Sequence, residues 1–164
     1  MSPKSFTIKY DSSFKTLITA CSISEAFDPK DLQKGLKRPP AKEFTAIWDT
    51  GATNSVISEK VVYSLDLEPT GKEIVYHANG KSLVNTHGVN ILLPNDVVFT
   101  TLKVTEGILS GIDVLIGMDI ILKGDFAISS FCGKTKFSFQ IPSTHDIDFS
   151  KCSSTRRLFH VPEH

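Results

Sequence analysis

The sequence predicts a domain built mainly from β-strands, with one or two short helices between them. Three observations support this. Short apolar runs rich in β-branched and aromatic residues recur along the chain, and Gly, Pro, Asn or Asp residues separate them. The dipeptide Asn79-Gly80 stands between two such runs, which is typical of a two-residue hairpin turn. The apolar run Phe44–Trp48 leads directly into the polar turn Asp49-Thr50-Gly51.

The first 42 residues are expected to hold two strands and a short helix. The strands are residues 5–10 and 15–23, joined by a polar turn. Asp28 can cap a helix of one or two turns in which Pro29 takes the first position, with Gly35 after the last turn. Segment 28–42 is the most basic stretch of the chain, and a solvated surface loop explains it better than a binding site.

The remaining elements follow the polar turn in order. They are a helix at 58–65 with Ser58 as its N-cap, hairpin strands at 72–78 and 81–85 with an extension through 89–93, a strand at 97–104, an apolar strand and short helical turn within 112–122, and a closing hairpin at 126–130 and 135–141. We therefore expect one domain at 1–142. Residues 143–164 are more polar and are expected to form a C-terminal tail of uncertain order.

Composition excludes several classes of function. The 164 residues suffice for one domain with a sizeable core. Lysine and arginine together number 18, as do aspartate and glutamate, so no net charge attracts nucleic acid or an anionic membrane. No apolar run is long enough to cross a bilayer. Three cysteines without metal-ligand spacing, and a start without an apolar secretory segment, favour reduced thiols and a cytoplasmic protein.

The stretch around Asp49 carries the strongest functional signal. Gly51 has no Cβ, so its N–H can approach the Asp49 carboxylate closely, and Thr50 adds a hydroxyl group beside it. Asp-Thr-Gly alone also occurs in ordinary turns. The apolar run before Asp-Thr-Gly-Ala and the apolar pair Val56-Ile57 after it are much more selective. This stretch resembles the active-site loop of the retropepsin-like aspartic proteases.

The order of later landmarks resembles the same family. A hairpin centred on Asn79-Gly80 follows the Asp-Thr-Gly turn, and Leu115-Ile116-Gly117 then precedes a short helix and closing strands. The resemblance covers residues 5–142. It implies an all-β, retropepsin-like closed barrel of mostly antiparallel strands, with no metal, nucleotide or organic cofactor.

The resemblance also implies a shared active site. Each chain of this family supplies half of the site, and the sequence contains a single Asp-Thr-Gly. The second Asp49 would therefore come from another copy of the chain in a homodimer. Two carboxylates a few ångströms apart share one proton, so one can act as a base and the other as an acid on a polypeptide substrate. Thr50 would lock the two loops together, Gly51 would steady the carboxylate and Ala52 would line the cleft.

The implied flap is the hairpin turn, and here the sequence departs from the viral members of the family. By resemblance, backbone hydrogen bonds to an extended peptide would come from Ala78, Asn79 and Gly80. The turn lacks the glycine-rich run of the viral enzymes. Trp48 stands where Leu is usual, and Met118-Asp119 replaces the usual Arg after Gly117. Trp48 implies different packing behind the loop, and Met118-Asp119 resembles cellular retropepsin-like proteins more than viral ones.

The histidines and two further aspartates have structural explanations. The histidines do not have the spacing of metal ligands. Positions on the surface or in the flap strands are expected for His77, His87, His145, His160 and His164. His77, beside the flap turn, is also a candidate substrate contact. Asp119 is expected to cap the short helix, and Asp125 to follow Gly124 in a turn.

Two classes of function fit this sequence. One is an aspartic endopeptidase that hydrolyses peptide bonds with water activated between two Asp49 carboxylates. The alternative is a catalytically weak retropepsin-fold module for dimerisation or peptide binding. The intact Asp49-Thr50-Gly51 favours the enzyme, because a scaffold has no need of the carboxylate. A processing enzyme with one dedicated host partner differs only in substrate breadth.

Overall fold

The computed structural model describes residues 2–35, 37–77 and 80–149. The strands are β1 (Lys4–Lys9), β2 (Leu17–Glu25), β3 (Lys42–Trp48), β4 (Val56–Ser58), β5 (Gly71–His77), β6 (Gly80–Leu93), β7 (Val97–Gly107), β8 (Val114–Ile116), β9 (Asp125–Phe131) and β10 (Lys134–Ile141). The helices are α1 (Pro29–Gln33), α2 (Glu59–Leu65) and α3 (Met118–Ile121), and a 3₁₀ turn covers Pro94–Asp96.

Six of the strands close into a barrel. Their order round the barrel is β2-β3-β8-β4-β7-β6, and the pairing of β2 with β6 completes the ring. The β3–β8 and β4–β7 pairs are parallel, while the other pairs in the ring are antiparallel. β5 lies outside the ring, paired only with β6 in this sheet. The closed, mostly antiparallel barrel is thereby confirmed.

Alternating side chains fill the barrel. In β2, for example, Leu17, Cys21 and Ile23 are buried, and Ile18 between them is exposed. The fully buried members of the core include Ile57, Val61, Val89, Ile91, Val97, Val104, Val114, Ile116 and Ile120. Each such side chain contributes about 1.5–3 kcal/mol of transfer free energy. The core therefore holds β4, β8 and α2 in place around the polar turn.

A second, three-stranded sheet packs against the end of β3. Its antiparallel order is β1-β10-β9. The ring of Trp48 lies with its centroid 6.0 Å from that of Phe6, 5.6 Å from Phe137 and 5.0 Å from Phe139. Aromatic packing of this kind adds to the free energy of area burial. The cluster fixes the residue that directly precedes Asp49.

The strands on either side of the Asp-Thr-Gly turn do not pair with each other. β8 lies between β3 and β4, with Ile116 opposite Trp48 and Leu115 opposite Val56. Sequential strands usually pair with each other, and a turn pattern cannot show that a later strand will separate them. Because β8 pairs with both strands, it supports both ends of the turn.

The helices begin close to the predicted positions. Asp28 Oδ1 accepts the Lys30 backbone N–H at 2.8 Å, which caps α1. Ser58 takes the N-cap position of α2, but its side chain makes no capping hydrogen bond. Gly117 is the N-cap of α3, so the expectation that Asp119 caps this helix is wrong. Asp119 lies instead in the first turn of the helix.

The first residues of the expected tail bind to Asp125. Its carboxylate accepts hydrogen bonds from Ser143 Oγ, from Thr144 N–H at 2.8 Å and from His145 N–H at 3.0 Å. These bonds hold the pKa of Asp125 well below its usual range, and the bond from Ser143 has the largest effect. Asp125 begins β9 and anchors this segment, which is more than the turn position expected for it. The boundary at 142 stays a prediction, and residues 150–164 lie outside the described part.

Candidate active site

The Asp49 carboxylate is held in a partly exposed turn. Gly51 N–H donates to Asp49 Oδ1 at 2.8 Å, and Ala52 N–H donates to the Asp49 carbonyl oxygen at 3.3 Å. A Cβ on Gly51 would lie 3.2 Å from Asp49 Oδ1, so the absence of a side chain favours this approach. Asp49 is half-buried, whereas Thr50 and Gly51 are exposed. The carboxylate is therefore fixed in orientation yet open to solvent.

β8 and its following residues fix the turn from outside. Asp49 N–H donates to the Ile116 carbonyl oxygen at 2.9 Å, which extends the parallel pairing of β3 with β8. Met118 N–H donates to the Ala52 carbonyl oxygen at 2.8 Å. The backbone of the turn is thus bonded on both sides of Thr50. Leu115-Ile116-Gly117, the apolar pair and glycine noted in the sequence, therefore supports the turn.

Ser55 joins the end of the turn to α3. Its buried hydroxyl donates to Asp119 Oδ1 at 2.8 Å and accepts the Gly117 N–H at 3.1 Å. Asp119 N–H also donates to the Thr53 carbonyl oxygen at 3.1 Å. A Cβ on Gly117 would lie 2.7 Å from the Asn54 carbonyl carbon and oxygen. Only glycine allows the two backbones to approach this closely.

Trp48 supports the site from the core. It is 5% exposed, and its ring stacks on Phe126 with centroids 5.6 Å apart and an interplanar angle of 15°. Its Nε1–H donates to Thr19 Oγ1 at 3.0 Å, so the buried indole nitrogen has a partner. The larger residue noted in the sequence is thus accommodated by the second sheet and by β2.

Asp113 braces the strand that leads to Asp49. Its Oδ2 accepts the Thr45 N–H at 3.1 Å, and its Oδ1 pairs with Lys60 Nζ at 2.8 Å. Burial acts to raise the pKa of Asp113, but the hydrogen bonds from Lys60 and Thr45 outweigh it, and the pKa lies below its ordinary value. The ionised carboxylate therefore links β3 to α2.

The predicted flap corresponds to the β5–β6 hairpin. Gly80 pairs with His77, so Gly80 lies in the second strand instead of at the centre of the turn. Ala78 and Asn79 lie outside the described residues. Beneath the hairpin is a cleft of about 680 Å³, whose walls include Val75 and Leu83 from the hairpin and Val56 from β4. The cleft begins at the strand into which the Asp49 turn runs.

Comparison with known proteins identifies the family. The family described as "gag-polyprotein putative aspartyl protease" matches residues 41–123, slightly more than half of the chain. The chain belongs to this family. The matched region runs from the start of β3 to just beyond α3. It therefore contains both Asp49 and Gly117.

One solved structure supports the fold seen in this chain. The chain is similar to a retropepsin-like aspartic protease from Rickettsia conorii, with a TM-score of 0.51 and 12% identity over 85% of this chain and 96% of that one. The Simian Foamy Virus (mac) protease aligns with a TM-score of 0.42 and 15% identity, over 65% of this chain and 92% of that one. No curated protein sequence matches the chain. The retropepsin-like fold is confirmed.

The sequence did not reveal one buried polar group of this chain. His87 lies in β6, the second strand of the β5–β6 hairpin, and it is only 1% exposed. Its Nε2 lies 3.2 Å from Glu106 Oε2, which also accepts the Asn85 Nδ2–H at 3.1 Å. Asn85 and His87 alternate with buried Thr86 along β6, but the pattern alone could not reveal Glu106 on β7 as their partner.

The two other aspartates considered from the sequence are engaged elsewhere. Asp119 binds Ser55, and Asp125 binds the segment that begins at Ser143. Within residues 2–35, 37–77 and 80–149, no group of three or more His, Cys, Asp or Glu side chains is arranged to hold a metal ion. Across the same residues, every helix is too short or too polar to span a membrane.

Proposed function

We propose that the chain is an aspartic endopeptidase that works as a homodimer. The observation that carries this proposal is the Asp49 carboxylate, oriented by Gly51 N–H in a partly exposed turn that β8 supports. A carboxylate with this orientation and access suits a base that activates water. The chain contains a single Asp-Thr-Gly, so the second carboxylate would come from another copy across a two-fold axis.

The mechanism follows from two Asp49 side chains placed face to face. They share one proton, because two like charges this close are unfavourable. The ionised carboxylate takes a proton from water as the water oxygen attacks the peptide carbonyl carbon. The protonated carboxyl group hydrogen-bonds the carbonyl oxygen and gives it the proton as the gem-diol forms. Collapse of the gem-diol breaks the C–N bond: the leaving nitrogen takes the proton that the first Asp49 removed from water, and a gem-diol hydroxyl group returns a proton to the carboxylate pair.

The neighbouring residues have supporting roles in this proposal. Gly51 N–H donates to Asp49 Oδ1 and so fixes the orientation of the carboxylate. Thr50, which is exposed, would bind the corresponding residue of the second copy and hold the turns together. Ala52 is half-buried beside the turn and would contact the substrate backbone.

The β5–β6 hairpin would hold the substrate in an extended form. β5 is the outermost strand of its sheet, and the side chains of Ile74 and Tyr76 are exposed along it. A hairpin of this kind can fold over a peptide and bind its backbone in the manner of an added strand. Gly80, with Ala78 and Asn79, would supply that contact at the tip.

A reducing, cytoplasmic setting is part of the same proposal. Cys21 is buried and Cys132 is exposed, and both are free thiols. Chains with few and unpaired cysteines are typical of compartments in which thiols stay reduced.

Digestion of a peptide library, read by mass spectrometry from about pH 3 to pH 7, tests the proposed activity. Wild type and Asp49→Asn are compared at equal concentration, and the mass of each protein in solution is measured. Asp66→Asn is a matched control, because Asp66 is exposed and has a left-handed backbone that Asn also tolerates.

We expect wild type and Asp66→Asn to cut the same peptides as dimers, and Asp49→Asn to be a dimer without activity. A folded wild-type dimer that cuts no peptide would favour the dimerisation or peptide-binding module. Equal cleavage by wild type and Asp49→Asn would contradict the assigned base.

A further inference from the structure

His87 stands at the base of the β5–β6 hairpin, where the hairpin joins the barrel. Thr86, the residue before it, lies opposite Gly71 at the start of β5, and from Val89 onward β6 pairs with β2 of the ring. The His87 side chain is buried, so its ring has almost no contact with solvent. The partners of the imidazole therefore come from the protein.

Both ring nitrogens of His87 face hydrogen-bond acceptors. Nε2 lies 3.2 Å from Glu106 Oε2 on β7, and Nδ1 lies 3.3 Å from the backbone carbonyl oxygen of Glu68, in the segment that leads into β5. A carbonyl oxygen and an ionised carboxylate only accept hydrogen bonds, whereas a neutral imidazole has a single N–H. One of the two contacts therefore lacks a hydrogen unless the His87–Glu106 pair holds one additional proton.

The additional proton completes both contacts on either member of the pair. On His87 it gives an imidazolium that donates to Glu68 and to Glu106. On Glu106 it lets the carboxyl group donate to Nε2, while Nδ1–H donates to Glu68. The Asn85 amide donates to Glu106 Oε2 at 3.1 Å and helps to orient this side chain. With the proton in place, one ring ties the segment before β5 to β6 and β7.

Glu106 is the charged group in direct contact with His87. Three exposed charges lie on the neighbouring segments, Lys72 on β5 and the side chains of Asp66 and Glu68 between α2 and β5, and water weakens their effects. The register places apolar residues opposite the pair on the adjoining strands, namely Val104 on β7 and Ile57 on β4. The proton on the pair therefore depends mainly on the two partners themselves.

We propose that the His87–Glu106 pair is a proton-dependent lock that positions the β5–β6 hairpin. Histidine gains or loses a proton between about pH 5 and pH 8. In acid, the pair holds the additional proton and both contacts of the ring are made. As the pH rises through this range the proton leaves, one contact is lost, and the base of the hairpin loosens. His87 and Glu106 are positioning residues in this inference, and neither takes part in bond cleavage.

Hydrogen exchange of the Asp49→Asn protein tests the lock. This protein lacks the Asp49 carboxylate, so the titration of the proposed active-site pair cannot cause the effect. Exchange is followed by mass spectrometry at about pH 5 and about pH 7.5, and each rate is corrected for the intrinsic rate at that pH. The β9–β10 hairpin is the internal reference. Loss of one hydrogen bond to a charged group should lower the protection of residues 71–77 and 80–88 about tenfold at the higher pH.

Two substitutions in the Asp49→Asn protein should remove the pH dependence in opposite ways. Glu106→Gln can donate an amide N–H to Nε2 while Nδ1–H still donates to Glu68, so the hairpin should stay protected at both pH values. His87→Gln has no ring to titrate, and its hairpin should have equally low protection at both. His77→Gln is the matched control, because it removes the histidine at the end of β5, and it should keep the pH dependence.

The Asp49→Asn protein without further substitution decides the inference. If the protection of its β5–β6 hairpin changes no more with pH than that of the β9–β10 hairpin, the lock is refuted, however well the other variants fold. A pH dependence that persists in a folded His87→Gln protein would refute it as well. Neither result depends on cleavage of a peptide, so the lock and the proposed activity can fail separately.

Discussion

Replacement of Ser55 by alanine tests how the Asp49 turn is held. The Ser55 hydroxyl is fully buried and makes two bonds, one to Asp119 Oδ1 and one from Gly117 N–H. Loss of the bond to the carboxylate costs about 1.5–3 kcal/mol, and a buried N–H without a partner costs about 1–3 kcal/mol. Because the two losses overlap, we expect the free energy of unfolding to fall by about 3 kcal/mol. For a domain of this size, this corresponds to a decrease of about 6–12 °C in Tm.

Denaturant unfolding followed by tryptophan fluorescence measures this change. Trp48 is the one tryptophan of the sequence, and it is buried directly before Asp49. All proteins are compared at one concentration, because dimerisation would add to the apparent stability. Ser64→Ala on α2 is the control and should change the free energy of unfolding by less than about 0.5 kcal/mol.

A double-mutant cycle assigns the effect to the Ser55–Asp119 contact. Side chains in direct contact show coupling of about 0.5–3 kcal/mol, so Ser55→Ala and Asp119→Ala should not be additive. The reasoning would be refuted by additive effects, or by Ser55→Ala with the stability of wild type. Ser55→Ala should also lower kcat/KM, since the turn that orients Asp49 loses its connection to α3.

Three further predictions follow from the structure. Gly117→Ala places a Cβ 2.7 Å from the Asn54 backbone. We expect the free energy of unfolding to fall by about 1–3 kcal/mol and most of the activity to be lost. Wild-type values of both the unfolding free energy and the activity would contradict this. Burial, and to a smaller extent the charge of Asp113, raises the pKa of Cys21 to about 12. A maleimide at pH 8 should therefore label exposed Cys132 and spare Cys21 until the protein unfolds. Peptide mapping measures which cysteine is labelled. The pKa of Asp125 is lowered by folding, so its ionised form stabilises the fold above about pH 4; the difference in Tm between wild type and Asp125→Asn should therefore be largest near neutral pH and shrink as the pH falls through the acid range.

Local patterns in the sequence predict the strands and the active-site turn well. Alternating apolar residues predict β10, a mixed apolar run predicts β2, and the Asp49-Thr50-Gly51 turn lies at the end of an apolar strand as its residues indicate. Each of these features depends on residues that are close together in the chain, where hydrophobic period and turn chemistry are directly visible.

Long-range pairings explain what sequence reasoning missed. β8 separates β3 from β4, and nothing in the turn itself indicates a parallel partner that far along the chain. The contact between His87 and Glu106 likewise depends on the register of β6 against β7. Asp125 binds residues 143–145 only because β10 returns the chain to the start of β9. Such contacts follow from topology instead of local propensity.

The most direct test of the account is the activity of mixed dimers. Wild type and Asp49→Asn are unfolded together in equal amounts, refolded, and assayed at a fixed total concentration of protein. If each site needs one Asp49 from each copy, only wild-type pairs cleave peptide, and random mixing leaves about one quarter of the activity of wild type alone. Activity that falls only to about one half would mean that each copy carries a complete site, and it would contradict the shared pair of carboxylates.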